Sequence, residues 1–207
     1  MGERGTTLLI GTAKGAFLIC GSGNRGGWTV SGPYCRGWPI NHVIGDPETG
    51  TLWAGGGGDW HGAGVCRSQD SGKKWEVARL TKGTRDDWAA SDPEFAATIG
   101  WSDDPLPFEE AFSQIWSLHY THGTLYAGTK PARLLVSRDG GLNWEEMEAL
   151  AGHPSADSWN PGAAGLVLHS IVSDPGNAQK IRAGISAAGI FATEDGGRSW
   201  ERRNRLS

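Results

Sequence analysis

The chain has 207 residues and a formal net charge of −4, with 19 basic and 23 acidic side chains. This balance excludes the strongly basic surface that attracts nucleic acid or an anionic membrane. The 33 glycines, 10 prolines and 11 tryptophans indicate many turns and many aromatic anchors, which is typical of an all-β protein.

The first apolar run, residues 7–20, is too short and too interrupted for a targeting segment or a membrane span, which needs roughly 20 apolar residues. We therefore expect a cytoplasmic protein. The chain has three cysteines, and an odd number without a Cys-x-x-Cys pair suggests neither a disulfide framework nor a zinc site. We expect reduced thiols, no metal and no cofactor.

Strand-like segments recur in the same order along the chain. A strand that we call second lies at 8–14, 51–57, 124–130 and 180–186. The third strand follows at 16–20, 64–68, 133–137 and 189–193. An outer strand begins at each of Trp28, Trp75, Trp144 and Trp200. An inner strand with its turn precedes every unit except the first, at 41–50, 115–123 and 168–177. Such a unit predicts a four-stranded antiparallel meander of about 45 residues, the size of a β-propeller blade.

A polar turn that ends in tryptophan joins the third strand to the outer strand at 68–75, 137–144 and 193–200. We call these segments the Trp turns; a shorter copy at 22–28 has Asn24 in place of aspartate. The hydroxyl and carboxylate hydrogen-bond the local backbone, the glycine takes a positive φ, and the tryptophan packs between sheets. A structural role is therefore predicted for Ser68, Asp70, Gly72, Trp75, Ser137, Asp139, Gly141, Trp144, Thr193, Asp195, Gly197 and Trp200.

The pattern Ser-x-Asp-x-Gly-x-x-Trp resembles the BNR or Asp-box repeat. That repeat is found in the propellers of sialidases, sortilin-type receptors, photosystem assembly factors and many bacterial exo-sialidase-like proteins. Three copies match at full spacing, with Thr193 in place of serine in the last. The resemblance implies an all-β propeller of four-stranded antiparallel blades over nearly the whole chain, and it says little about activity.

The repeat predicts a single propeller domain over residues 1–207 with four blades. Since nothing after the last outer strand supplies an inner strand to blade 1, we expect an open arc of a six- to eight-bladed propeller; the alternative is a closed four-bladed ring. Open blade edges predict self-association. The expected segments are blade 1 at about 6–32 without its inner strand, blade 2 at about 40–80, an insertion at about 81–113, blade 3 at about 114–150 and blade 4 at about 166–204.

The longest loops all fall at the end of the blades opposite the Trp turns, and we call this end the loop rim. Insertions in repeat proteins cluster on binding faces. Aromatic, amide and basic side chains predict a site there for a protein or a glycan. The predicted binding residues are Lys14, Trp38, Asn41, His42, Trp60, His61, Trp101, Gln114, Trp116, Lys130, Trp159 and His169.

The alternative function is a glycoside hydrolase of the sialidase type, which the resemblance implies would need an arginine triad, a tyrosine nucleophile and paired acids. The Phe-Arg-Ile-Pro motif of that family is absent, and Arg4 stands alone near its place. Tyr126 occupies a repeat position, which indicates a framework role. The candidate acids are a run on the insertion, Asp103, Asp104, Glu109 and Glu110. We therefore expect a non-catalytic binding propeller, with glycoside hydrolysis second and a pure scaffold third.

Overall fold

The computed structural model describes residues 5–21 and 27–204, and its strands form four antiparallel sheets. The predicted fold class, an all-β arc of propeller blades, is confirmed. Arg4 and most of the imperfect turn at 22–28 lie outside the described residues.

The first sheet has three described strands in the order β1-β2-β3. They are β1 (Thr6–Thr12), β2 (Gly15–Gly21) and β3 (Trp28–Tyr34). They correspond to the second, third and outer strands of the repeat. Strand β1 is paired to β2 along its length, which leaves its other side as a sheet edge among the described strands.

The other three sheets each have four strands in chain order from inner to outer. The second sheet contains β4 (Ile40–Gly45), β5 (Leu52–Gly58), β6 (Gly62–Ser68) and β7 (Glu76–Arg79). The third contains β8 (Gln114–Thr121), β9 (Thr124–Lys130), β10 (Leu134–Ser137) and β11 (Glu145–Glu146). The fourth contains β12 (Leu168–Asp174), β13 (Asn177–Ile185), β14 (Gly189–Thr193) and β15 (Glu201–Arg202).

The insertion, which the sequence predicted only as a long loop, contains two helices, α1 (Thr84–Ser91) and α2 (Pro93–Ile99). The Asp92 carboxylate accepts from the amides of Glu94 and Phe95 at 3.0 Å, and Pro93 holds the first helical position. These are favourable start signals for a helix. A short helix α3 (Glu148–Ala151) and a 3₁₀ turn (Ala156–Ser158) follow the third sheet.

The sheets follow one another around an axis through contacts between the strands nearest that axis. Strand β1 packs on β4, β4 and β5 on β8, and β8 on β12. Among the described elements no contact of comparable extent joins the first sheet to the fourth. The four sheets therefore form an open arc.

The glycine that recurs in the second strand explains how successive sheets approach. A Cβ on Gly55 would stand 2.6 Å from Ile115 of the next inner strand, and one on Gly128 would stand 2.4 Å from the Leu168 carbonyl oxygen. A Cβ on Gly11 would likewise stand too close to Ile40 of the next inner strand. Each glycine removes a side chain where the next inner strand crosses.

Three apolar clusters fill the spaces between successive sheets, and we call them the first, second and third junctions. The first junction contains Ile40, Val43 and Ala54, the second Ile115 and Leu118, and the third Leu168 and Ile171, each with their neighbours. Trp75, Trp144 and Trp200 belong to the first, second and third junctions respectively. Each Trp turn thus sends its indole into the space before its own sheet.

Candidate functional site

Hydrogen bonds between its loops give the loop rim a defined surface. The Thr84 amide donates to the Asp59 carbonyl oxygen at 2.7 Å, which fixes the start of α1 against the β5–β6 turn. The Lys82 amide donates to the Glu109 carbonyl oxygen at 2.7 Å, so the two ends of the insertion meet. The insertion is therefore anchored at its base to the second sheet.

Each of the three inner strands carries a β-bulge at the same position, close to the loop rim. The pairing register shifts between Ile40 and His42 in β4, and the extra residue is Asn41. The corresponding extra residues are Trp116 in β8 and His169 in β12. Bulges re-aim side chains and are frequent beside active sites. An amide, an indole and an imidazole therefore take equivalent places around the axis.

Side-chain hydrogen bonds tie neighbouring inner strands together beside these bulges. Asn41 Nδ2 donates to the Ile115 carbonyl oxygen at 2.9 Å and lies 3.4 Å from Gln114 Oε1. Ser117 Oγ donates to the Leu168 carbonyl oxygen at 2.8 Å. The inner strands belong to separate sheets, so these bonds hold the bulged residues in a fixed relation.

His42 and His119 continue this series of contacts between inner strands. His42 Nδ1 accepts from the Leu118 amide at 2.9 Å, and His119 Nε2 lies 2.8 Å from Ser173 Oγ. Burial lowers the pKa of both imidazoles, and the nearby His42 charge lowers the pKa of His119 further. Both rings are therefore neutral near pH 7.

Trp116 presents a half-buried indole at the loop rim, and Lys130 covers part of it. The Lys130 ammonium nitrogen lies 5.7 Å from the Trp116 ring centroid, within the range of a cation–π contact. Lys130 ends β9, the strand paired with β8, so both side chains come from the same sheet.

A second aromatic group, formed by Trp60, Trp88 and Phe95, lies where the β5–β6 turn meets the insertion. Trp60 and Trp88 meet edge to face with centroids 5.4 Å apart, and Phe95 lies 6.2 and 6.3 Å from them. Trp60 is 41% exposed and Trp88 56%. Trp88 and Phe95 were not among the predicted binding residues, because only the fold of α1 and α2 brings them to Trp60.

Trp38 and Trp159, two predicted binding residues, pack inward instead of facing solvent. Trp38 is buried and stacks on His61 with centroids 4.9 Å apart, and a His61 ring nitrogen lies 2.9 Å from the Gly37 carbonyl oxygen. Trp159 packs on Phe191 in the third junction. These residues hold loops to the sheets.

Trp101 also points inward, toward the buried carboxylate of Asp86. Its Nε1 donates to Asp86 Oδ1 at 2.9 Å, while Arg79 and the Gly83 amide bind Oδ2 at 2.5 and 2.9 Å. Burial alone would raise the pKa of Asp86. The hydrogen bonds from Arg79, the Gly83 amide and Trp101 outweigh burial and hold that pKa below its usual value. Asp86 is a structural anion.

Lys14 and the carboxylate run lie apart from the inner strands. Lys14 is exposed in the β1–β2 turn of the first sheet, where its carbonyl oxygen accepts from the Gly37 amide at 3.4 Å. The side chains of the run, Asp103, Asp104, Glu109 and Glu110, are all exposed. In contrast, Asn41 lies beside Gln114 and Lys130 lies over Trp116, while β4 and β12 position His42 and His169 near the same bulges. We call these six residues the axial site.

The Trp turns lie at the opposite rim and share one hydrogen-bond pattern. Asp139 Oδ1 accepts from Ser137 Oγ at 2.8 Å and from the Leu142 and Asn143 amides at 3.0 Å. The hydroxyl oxygen of Ser137 accepts in turn from the Gly141 amide at 2.8 Å. Equivalent bonds occur in the other two turns. Each aspartate serves its own turn.

A cavity of about 420 Å³ opens at this same rim between the first and second sheets. Its wall includes Leu9 and Leu18 from the first sheet and Gly45, Leu52 and Ser71 from the second. In the next junction the positions of Leu9 and Gly45 are held by Trp53 and Tyr120, which stack on each other with centroids 4.7 Å apart. The cavity exists because two small side chains replace this aromatic pair.

Within residues 5–21 and 27–204, no group of three histidine, cysteine, aspartate or glutamate side chains is placed to hold a metal ion. Of the helices in these ranges, none has the length and apolar character to cross a membrane.

No family model matches the chain. An oligoxyloglucan-reducing end-specific xyloglucanase from Emericella nidulans is 33% identical over 78 residues, which make up 37% of this chain and 9% of that protein. The chain therefore spans a small part of this curated relative.

Two solved structures resemble nearly the whole chain. The GH74 xyloglucanase of Xanthomonas campestris aligns with 96% of this chain and 29% of its own length, at a TM-score of 0.60 and 19% identity. The GH74 enzyme of Niastella koreensis aligns with 96% of this chain and 28% of its own length, at a TM-score of 0.57 and 15% identity. At these identities the likeness shows the fold alone, and this chain is an arc of a β-propeller.

Proposed function

We propose that the loop rim binds a neutral oligosaccharide of the xyloglucan type at the axial site, without hydrolysing it. The observation that carries this proposal is the set of three bulges, which give Asn41, Trp116 and His169 equivalent places around the axis. The similar proteins are named as xyloglucanases, which supports the choice of glycan.

The chemistry of the axial site suits a neutral sugar better than a charged ligand. An indole face packs on the apolar C–H face of a pyranose, while amides and imidazoles exchange hydrogen bonds with hydroxyl groups. Asn41 and His169 are exposed, and His42 is neutral near pH 7. Lys130 is the one cation of the site and lies against an aromatic ring.

The aromatic group of Trp60, Trp88 and Phe95 provides a second contact area on the same rim. Two of its three rings are exposed, and exposed clusters of large apolar side chains mark interaction surfaces. A polysaccharide longer than the axial site would extend toward this group, so we expect affinity to rise with chain length.

The Trp turns support membership of the BNR/Asp-box repeat proteins, in which the aspartates stabilise hairpins. We include in the proposal that the chain acts in the cytoplasm. We also include that the free edge of β1 promotes self-association, because exposed strand edges pair with other chains.

Glycoside hydrolysis remains the second candidate because the similar proteins are named as glycosidases. A glycosidase needs one carboxyl whose pKa is raised by an apolar environment. Asp86 is buried, but its hydrogen bonds lower its pKa. The four acids of the insertion run are exposed to solvent. These five carboxylates therefore do not supply the required acid.

The experiment is isothermal titration of the full chain with xyloglucan oligosaccharides, followed by a reducing-end assay of the same mixture. We expect saturable binding without new reducing ends, and Trp116→Ala should weaken affinity at least tenfold, about 1.4 kcal/mol. The control is Trp28→Ala, which removes an indole 58% exposed at the opposite rim. An equal loss in both variants, or no binding of the unchanged chain, would refute the glycan site; new reducing ends would favour hydrolysis.

A further inference from the structure

The strongest unexplained feature outside the axial site is a pair of cysteines at the first junction. Cys66 lies on β6 of the second sheet and is 1% exposed, and Cys35 follows β3 of the first sheet and is half-buried. Both pack into the same apolar cluster. Both thiols therefore lie at the contact between the first and second sheets.

The residues that flank Cys35 fix its position over the second sheet. Tyr34 stacks on Trp75 with centroids 5.6 Å apart. Trp75 lies two residues before Val77, and Val77 is the cross-strand partner of Cys66. On the other side, the Trp38 amide donates to the Cys35 carbonyl oxygen at 3.0 Å.

The ring of Trp38 completes this arrangement. It lies so close to β6 that a Cβ on Gly64 would stand 2.8 Å from the indole. Gly64 is two residues before Cys66 and therefore on the same face of the strand. Two aromatic contacts thus hold the segment around Cys35 against the two strands, β6 and β7, that include Cys66 and its cross-strand partner.

The two thiols also influence each other. The nearby Cys35 thiol and burial both raise the pKa of the Cys66 thiol. Cys66 therefore stays protonated, whereas Cys35 is the more accessible sulfur of the pair. Accessible thiols react first with oxidants.

We propose that Cys35 and Cys66 form a reversible disulfide that ties the first sheet to the second. With hydrogen peroxide as the oxidant, the Cys35 thiolate attacks one peroxide oxygen, which gives a sulfenic acid and hydroxide. The Cys66 sulfur then attacks the Cys35 sulfur, and the hydroxyl group leaves as water with the Cys66 proton. Overall, two thiols and one peroxide yield one disulfide and two waters, and a dithiol reductant reverses the change.

The disulfide would change how firmly the first sheet is held. It closes a loop that runs from β3 through β4 and β5 to β6, and such a closure stabilises the folded state. The expected rise in Tm on oxidation is roughly 5–10 °C for a chain of this size. Dithiothreitol should remove that rise.

The test treats the full chain with hydrogen peroxide, removes the excess and maps peptides by mass spectrometry without reduction. We expect a peptide that links Cys35 to Cys66, a fall from three free thiols to one and the Tm rise given above. Cys35→Ser should abolish all three changes. Cys20→Ser is the matched control, since Cys20 is exposed on β2, and it should keep the linked peptide and the Tm rise.

The test uses Cys35→Ser because Cys35 is only half-buried. A substitution at the buried Cys66 would disturb folding more and would make a change in Tm hard to interpret. The proposal is overturned if the linked peptides contain Cys20, if the disulfide joins two chains, or if Cys35 and Cys66 remain reduced while Cys20 is oxidised. It is also overturned if Cys35→Ser shows the same Tm rise as the unchanged chain.

Discussion

The indole Nε1 of Trp53 donates to the carbonyl oxygen of Gly140 at 2.8 Å, which joins a strand of the second sheet to the Trp turn of the third. Trp53 is 2% exposed. The first junction has Leu9 at the equivalent place and Ser71 in the equivalent turn position, and there the cavity opens. The second and third sheets are therefore joined at this rim by an aromatic side chain that enters the next Trp turn, whereas the first and second sheets lack this link.

Leu9→Trp is expected to stabilise the chain by filling this cavity. Cavity-filling changes commonly add about 0.5–2 kcal/mol to the free energy of unfolding. The measurement is chemical denaturation. The control is Leu8→Trp, whose position is 46% exposed and faces the other side of β1. Equal effects of the two changes, or a loss of stability with Leu9→Trp, would contradict this view of the cavity.

Trp144→Ala is expected to lower the free energy of unfolding by about 3–5 kcal/mol, because a buried indole leaves a cavity when removed. Trp144 is 7% exposed, and its Nε1 donates to the Gly141 carbonyl oxygen at 3.1 Å. Trp88→Ala, at a position 56% exposed, should stay within about 0.5 kcal/mol of the unchanged chain. Urea denaturation of both variants checks the difference, and similar losses would show that the Trp turn does not anchor the junction.

The sequence predicts the rim of the Trp turns much better than it predicts the loop rim. The Trp turns and the recurring glycines carry their own signal, because tight hairpins and close strand crossings permit few residue types. The residues of the loop rim carry no comparable signal in the sequence. The bulges at Asn41, Trp116 and His169 arise from pairing between strands, and that register is not encoded by any one residue type.

The structure of the insertion could also be predicted only in part from the sequence. Asp92 and Pro93 form a helix start that is recognisable in the sequence, although a loop was predicted there. By contrast, Trp88 and Trp101 look alike in the sequence, yet one is exposed and the other binds buried Asp86. Which tryptophan turns inward depends on where α1 and α2 rest, so composition alone could not separate them.

Stability should fall as the pH drops below the ordinary histidine pKa of 6.5, because burial lowers the pKa of His42 in the folded chain. The unfolded chain then binds the proton more readily, so the loss begins below pH 6.5 and continues down to the folded-state pKa. A protonated His42 also cannot accept from the Leu118 amide. The lowered pKa of His119 adds to the same trend.

His42→Asn tests this assignment, because the asparagine oxygen can accept from the Leu118 amide and does not titrate. Between pH 7 and 5 the variant should lose less stability than the unchanged chain, as measured by Tm. The aspartates of the Trp turns do not interfere, since the pKa of Asp139 lies below its usual 3.8 and its contribution is lost only at lower pH. An identical pH slope in both proteins would show that His42 is not responsible.

Trp101→Phe should loosen the insertion, because it removes the indole donor from buried Asp86. A hydrogen bond to a charged group contributes about 1.5–3 kcal/mol. The expected result is faster proteolytic cleavage within 81–113, with cleavage elsewhere unchanged. Phe95→Leu is a control in the same insertion that leaves Asp86 untouched. Equal cleavage of Trp101→Phe and the unchanged chain would mean that the Asp86 cluster does not hold the insertion.

The central claim, that ligands engage the loop rim while the Trp turns only hold the sheets, is tested most directly by an NMR titration of the isotope-labelled chain with a xyloglucan oligosaccharide. The account predicts chemical-shift changes at the Trp116 indole and at the Asn41 and His169 backbone amides, with the Trp75, Trp144 and Trp200 indoles unchanged. Shifts centred on the Trp turns, or none at the axial site in a saturating excess of oligosaccharide, would contradict it.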